Sequence, residues 1–259
     1  MSGTALLRFK KLKGNGRILA AARHNRREIQ AEMGANESID PTHSSLNETL
    51  QGPTTAAGVA QLAKDLMETA GVGKDRKLRK DAVVCIELVF SLSPNHDVDD
   101  RAFFIDCAAW AGQWFGGDQN ILSVDIHHDE AQRHCHVLIL PLLPGGRMNA
   151  AKLVGGKQRV TAMQDEFHAV VAARYGFKKA PAKPSGPRKA EMAKAVLSSL
   201  AASSDPALKS RAWSDFHHAI EADPARFAAS LGIEIKPSAK RLRTMAQIFT
   251  SVGKGGNSG

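Results

Sequence analysis

The 259-residue sequence contains a single tyrosine, Tyr175, and aromatic residues make up only 5% of it. Chemistry that needs a phenolic hydroxyl therefore has one candidate. That candidate extends the apolar stripe Met163, Phe167, Val171, Tyr175 of a helical stretch, QRVTAMQDEFHAVVAARYGF, a position that suits packing. The three cysteines, Cys85, Cys107 and Cys135, are an odd number at wide spacing. They suit reduced thiols and argue against a disulfide framework. No apolar run approaches the roughly 20 residues needed to span a membrane. The opening MSGTALLRFKKLKG lacks the apolar stretch of a secretory signal. A cytoplasmic protein without a membrane span is expected.

Hydrophobic residues make up 43% of the chain, enough for a packed core. The net charge is +9, which favours a polyanionic partner, most commonly nucleic acid. Residues 1–175 hold 21 Lys+Arg against 20 Asp+Glu, whereas residues 176–259 hold 14 against 6. Between these parts lies FKKAPAKPSGPRKA, with the Pro and Lys content of a linker. The expected organisation is a catalytic domain over 1–177, a linker over 178–189, and a basic helical region over 190–259 with a disordered tail. The C-terminal region would add non-specific attraction for phosphates.

Strand and helix signals alternate in the first part. TALLRFKKL reads as a strand. GRILAAARHNRREIQAEM reads as a helix with the stripe Ile18, Ala22, Ile29 and Met33. TTAAGVAQLAKDLMETAG is a second helix, and DAVVCIELVFSL a buried strand. DDRAFFIDCAAWAGQWFGG is a helix opened by acidic residues, with Cys107 in its core stripe. NILSVDIHH and HCHVLILPL are two strands joined by a short acidic connection, hence an antiparallel hairpin. The fold class is α+β, an antiparallel sheet flanked by helices. Further on, EMAKAVLSSL aligns Met192, Val196 and Leu200, and SAKRLRTMAQIF aligns Leu242, Met245 and Phe249.

The hairpin carries the densest chemistry, HHDEAQRHCH. Strand side chains alternate faces, so His134 and His136 point one way and Cys135 the other. On the preceding strand Ser123, Asp125 and His127 share a face. The hairpin can bring His127 beside the pair, leaving Val124, Ile126, Cys135, Val137 and Ile139 for the core. Three imidazoles converging from two strands describe a metal site with open positions. A solvated polar face that happens to hold histidines is the plainer alternative. Glu130 in the connection is a ligand, a general base or a turn residue. His128 faces away. Earlier in the chain, ARHNRRE sets His24 off the helical stripe with Arg27 one turn further on.

These segments resemble the MobV (Mob/Pre) family of plasmid mobilization relaxases, within the HUH endonucleases. ARHNRRE resembles the family's HNxR motif. SIDPTHSSLNETL resembles its D-x-x-x-S-x-x-N segment, with Asp40, Pro41, Ser45, Leu46 and Asn47. RKDAVVC resembles its third block, with Arg79, Lys80 and Asp81, and HHDEAQRHCHVLILP its H-x-D-E-x3-H-x-H block. The matches run in order from Arg23 to about Pro141, and the likeness continues to Phe177.

The resemblance implies an enzyme that nicks one strand at an origin of transfer. It implies a divalent metal, Mn2+ or Mg2+, on His127, His134 and His136, with Glu130 as the acidic residue of that block. It also implies a nucleophilic histidine, mapped to His24, that forms a covalent adduct with DNA. Asn25, Arg27, Asn47, Arg79 and Lys80 are candidates for holding DNA. The implied partner is plasmid DNA, single-stranded around the nick, with a hairpin near it as a further expectation, along with other mobilization or conjugation proteins. Two rivals are a metal-dependent phosphoesterase without a covalent intermediate, and a non-catalytic plasmid DNA-binding regulator.

Overall fold

The computed structural model describes residues 3–14, 16–29, 39–74, 77–93, 96–179 and 184–233. The chain divides into two compact units, residues 1–180 and 181–259. The first contains strands β1 (Ala5–Lys13), β2 (Glu48–Gln51), β3 (Val83–Leu92), β4 (Ile121–His127) and β5 (His134–Ile139), with a two-strand ribbon, β6 (Leu142–Leu143) and β7 (Arg147–Met148). Its helices are α1 (Arg17–Asn25), α2 (Ala56–Thr69), α3 (Asp100–Trp114), α4 (Ala150–Val154) and α5 (Gly156–Val170). The five long strands form one antiparallel sheet in the order β1-β3-β5-β4-β2. This is the α+β arrangement expected.

The two faces of the sheet differ because each strand alternates. One face sends Leu88, Phe90, Ile126, Cys135, Val137 and Ile139 into the main core, under α3 and α5. There Phe90 meets Trp110 and Phe167 at ring distances of 6.1 and 5.1 Å. Cys107 and Cys135 are fully buried in this core, as the strand and helix periods require. The other face is divided. Leu12, Cys85, Leu122 and Leu138 lie in a second core with Ile18 and Ala22 of α1 and Val59 and Ala63 of α2. Beyond the end of α1 the same face turns polar, and there the histidines stand.

Helix α1 is shorter than its periodicity predicts. It stops at Asn25 instead of running to Met33, which lies outside the described residues. Arg27 adopts φ 53°. The Arg27 N–H donates to the His24 carbonyl, and the Glu28 N–H to the Arg23 carbonyl. This paired bonding around a left-handed residue is the usual glycine ending of a helix, built here on an arginine.

The second unit holds α6 (Pro187–Ala202), α7 (Trp213–Ala222) and α8 (Pro224–Ser230). They close over Ala193, Val196, Leu200, Ile220 and Ala228. Helix α6 starts at Pro187, inside the stretch read as linker. The segment SAKRLRTMAQIF and the tail lie outside the described residues. No helix among the described residues is long and apolar enough to cross a membrane.

Candidate metal centre and nicking site

Strands β4 and β5 pair with His127 opposite His134 and Asp125 opposite His136. On the far side of β5, Ser91 pairs with His134 and Val89 with His136. The three rings of His127, His134 and His136 form a near-equilateral triangle, with centroids 4.8 to 4.9 Å apart. All three are buried, and their ligand nitrogens lie within 4.8 Å of one another.

Each ring is oriented by its second nitrogen. The His127 Nε2–H donates to the carbonyl of Asn25, 2.8 Å away. That carbonyl is free because the last carbonyls of a helix have no partner within it. The His134 Nδ1–H donates to the Gln132 carbonyl at 2.8 Å, and the His136 Nδ1–H to Glu87 Oε1 at 2.9 Å. The nitrogens left over, His127 Nδ1, His134 Nε2 and His136 Nε2, turn towards a common point. His136 Nε2 is buried without a hydrogen-bond partner among the described residues. Outer partners of this kind orient histidine ligands in metal sites. The donor set therefore fits a divalent ion bound by three imidazoles with further positions open.

Burial, together with the neighbouring His136 and Arg27, pushes the His127 imidazole far below its ordinary range. His134 is lowered too, by burial first and then by His136. Both rings are thereby kept in the neutral form that a metal requires. Arg27 competes for one position. Its Nη2 lies 3.1 Å from His127 Nδ1, 2.6 Å from Asp129 Oδ1 and 2.7 Å from Glu130 Oε1. An ion taking the His127 lone pair would displace this contact.

His24, the penultimate residue of α1, stands over the triangle. Its ring is 5.9 Å from that of His136 and 6.4 Å from that of His127. Glu130 Oε1 is 3.8 Å from His134 Nε2. Arg27 reaches the site, although it sits past the end of α1 and not on a shared helical face with His24.

The other expected DNA contacts are placed differently. Asn25 is buried, with its carbonyl on His127. Asn47 is held at both ends of its amide, donating to Asp129 Oδ2 at 2.8 Å and accepting from the His128 N–H at 2.7 Å. Arg79 pairs with Asp81 in solvent, and Lys80 follows it in the turn before β3, at the end of that strand away from His134.

Two acidic residues were missed in the sequence. Asp129 accepts from Arg27, Ser44 and Asn47. Its burial alone would raise the carboxyl, and these bonds instead hold it well below the usual carboxylate range. Glu87 is the lone carboxylate in the apolar run VVCIELVFSL, a signal that was available. The spacing D-x-x-x-S-x-x-N falls on Asp40, Ser44 and Asn47. Ser44 donates to Asp129 at 2.7 Å, whereas Ser45, the serine expected from the sequence, is exposed, so the serine that joins the site is Ser44. Tyr175 packs against the main core, on the opposite face of the sheet from the histidines. Its hydroxyl donates to Asp106 Oδ2 at 2.9 Å.

An antiparallel sheet with a histidine triad on one strand pair, overhung by a helix-end histidine, defines the class. The fold is that of relaxase domains. The structure resembles the MobM relaxase domain solved with bound plasmid pMV158 oriT DNA and manganese, with a TM-score of 0.61 and 24% identity over 74% of this chain and 98% of that one. A second MobM structure, bound to a 26-nucleotide oriT DNA, matches with a TM-score of 0.53 and 19% identity. The chain belongs to the plasmid recombination enzyme (Mob/Pre) family, whose model matches residues 1–191. Its relatives include a 65 kDa protein of Zymomonas mobilis, 31% identical over 65% of this chain. A plasmid recombination enzyme type 3 of Staphylococcus aureus is 30% identical over 68%. The matched region spans 28% and 43% of those two proteins.

Proposed function

We propose that this chain is a plasmid relaxase that nicks one DNA strand at an origin of transfer and forms a covalent histidine–DNA adduct. The observation that carries the reading is His24 placed beside the triad, 5.9 Å from the His136 ring, while Tyr175 lies across the sheet. Family membership supports the substrate, and the DNA in the related MobM structures agrees with it.

His127, His134 and His136 would hold a divalent ion, Mn2+ or Mg2+, and the manganese in a related MobM structure supports such an ion. That ion supplies Lewis-acid polarisation of a phosphate oxygen. The rest of the chemistry belongs to side chains. A ring nitrogen of His24 attacks phosphorus in line and a P–N bond forms. The P–O bond to the departing strand end breaks, and the departing oxygen takes a proton. The phosphorylated imidazole, cationic at first, releases its remaining N–H proton, so one proton is lost from His24 for the one gained by the leaving group. The phosphoramidate keeps the strand activated for rejoining. Arg27 Nη1 is buried without a hydrogen-bond partner among the described residues, and we assign it to a phosphate oxygen, where developing charge is stabilised. Glu130 holds Arg27 and stands next to His134, which suits it to position the one and to accept a proton near the other.

The test is nicking of supercoiled plasmid carrying the cognate origin, with Mn2+. His24→Ala should abolish relaxed product, while Mn2+ affinity by calorimetry stays near wild type. A His24→Ala protein that nicks at the normal rate overturns the assignment.

A further inference from the structure

The DNA contacts predicted from sequence are largely engaged within the protein, so the strand needs another grip. The first acidic side chain in the sequence is Glu28, and eight Lys or Arg precede it. The fold places five of these along one groove, of which Arg8, Lys10, Lys13 and Arg17 are exposed and Lys11 is half-buried. A cleft of 640 Å³ between β1 and α1 is lined by Lys10, Lys13 and Arg17 and ends at His24, Glu87 and His136. A second cleft of 350 Å³ continues from the same Lys10, His24, Glu87 and His136 past Arg8 to Glu130 and His134. Arg8 and Lys10 lie on the histidine face of the sheet, because Arg8 pairs with Val89, which pairs with His136, and Lys10 pairs with Glu87.

Arg8 donates to Ser91 Oγ at 3.3 Å. Among the described residues, Lys10, Lys13 and Arg17 enter no ion pair. The acidic groups facing the groove are both occupied, Glu87 by His136 and Glu130 by Arg27. From Arg17 to His24 the helix spans about 10 Å, the length of roughly three nucleotides stacked at 3.4 Å.

We propose that Arg8, Lys10, Lys13 and Arg17 form a phosphate track that leads single-stranded DNA along β1 into the metal triad beneath His24. This rests on the relaxase reading and adds to it the strand's route. The cations follow β1 from Arg8 through Lys10 to Lys13 and pass to Arg17 at the start of α1, the succession that a backbone-tracking groove requires.

The test is binding of a fluorescein-labelled, mixed-sequence single-stranded oligodeoxynucleotide to the full chain by anisotropy, as a function of salt. A Lys10→Gln/Lys13→Gln/Arg17→Gln variant removes three contacts. The slope of log K against log salt should flatten by about 2, since each contact to single strands contributes about 0.7. Its Mn2+ affinity by calorimetry should be unchanged. A control variant, Lys74→Gln/Lys152→Gln/Lys157→Gln, removes the same charge from exposed positions outside the groove and should keep the wild-type slope. A wild-type slope in the groove variant, or equal flattening in the control, overturns the track. If the triple variant does not fold, Lys10→Gln alone should flatten the slope by about 0.7, and no change refutes the proposal. Failure of the unmodified protein to bind single strands at all would count against the relaxase reading itself.

Discussion

Each histidine of the triad has one ring nitrogen anchored so that the other is aimed. Two anchors are backbone carbonyls, of Asn25 and Gln132, which side-chain substitution leaves in place. The third is the Glu87 side chain on His136. Glu87→Ala should therefore weaken Mn2+ binding by about 10–100-fold, read by calorimetry, and Glu87→Gln should retain most of it because an amide oxygen still accepts. Equal affinity in Glu87→Ala would show that the anchor is dispensable. Tyr175 offers a second residue-scale check. Burial and the Asp106 carboxylate beside its hydroxyl push its pKa up to about 12. As it is the only tyrosine, absorbance at the tyrosinate band reports it alone. Asp106→Asn should move the midpoint down, and Tyr175→Phe should nick as wild type does. At this scale the convergence of the three histidines was legible because strand alternation is a short-range rule, whereas His24 was singled out by the family resemblance and not by its spacing. Glu87 stood out as a lone carboxylate in an apolar run, but its partner, like that of Asp129, was not legible, since the two partners lie 49 and 102 residues away in sequence.

The end of α1 controls the geometry of the whole site. Arg27 in a left-handed conformation costs about 1–2 kcal/mol relative to an ordinary backbone, and its buried guanidinium on Asp129 offsets that. Arg27→Gly relieves the backbone but leaves the Asp129 carboxylate unpaired, a loss on the order of 3–5 kcal/mol. The net expectation is a protein destabilised by a few kcal/mol in urea unfolding. A stabilised Arg27→Gly would mean that the clamp contributes nothing. Arg26 reinforces the same helix end, with Nε 3.2 Å from Asp125 Oδ1 and further bonds to Thr49 and the Pro53 carbonyl. Periodicity alone carried α1 on to Met33 because no glycine or proline marks its stop. The stop is made by tertiary contacts of two arginines, which a local pattern does not encode. The hairpin and the core strands were legible for the opposite reason, as their alternation is imposed by one buried face.

Across the whole molecule, charge is segregated more finely than regional counts reveal. Residues 1–175 are nearly balanced on average, yet their first 27 residues carry only positive charge. Averaging hid that stretch, and the sheet then lays it beside the site. The buried histidines also set the pH response of the metal-free protein. His127 and His134 have folded pKa values below the ordinary 6.5, so below that pH the unfolded chain binds more protons and stability falls. The melting temperature should decline as pH drops from about 6.5. Asp129 and Glu87, lowered in the fold, add a second loss once pH falls below about 4. A flat melting temperature between pH 7 and 5 would contradict the burial of these rings. The central claim is that His24 becomes bonded to DNA. The most direct measurement is mass-spectrometric mapping of the protein–DNA adduct isolated after nicking with Mn2+. The expected result is an acid-labile phosphoramidate on the peptide containing His24, absent from His24→Ala. An adduct on Tyr175, or nicked DNA with no protein attached, would contradict it.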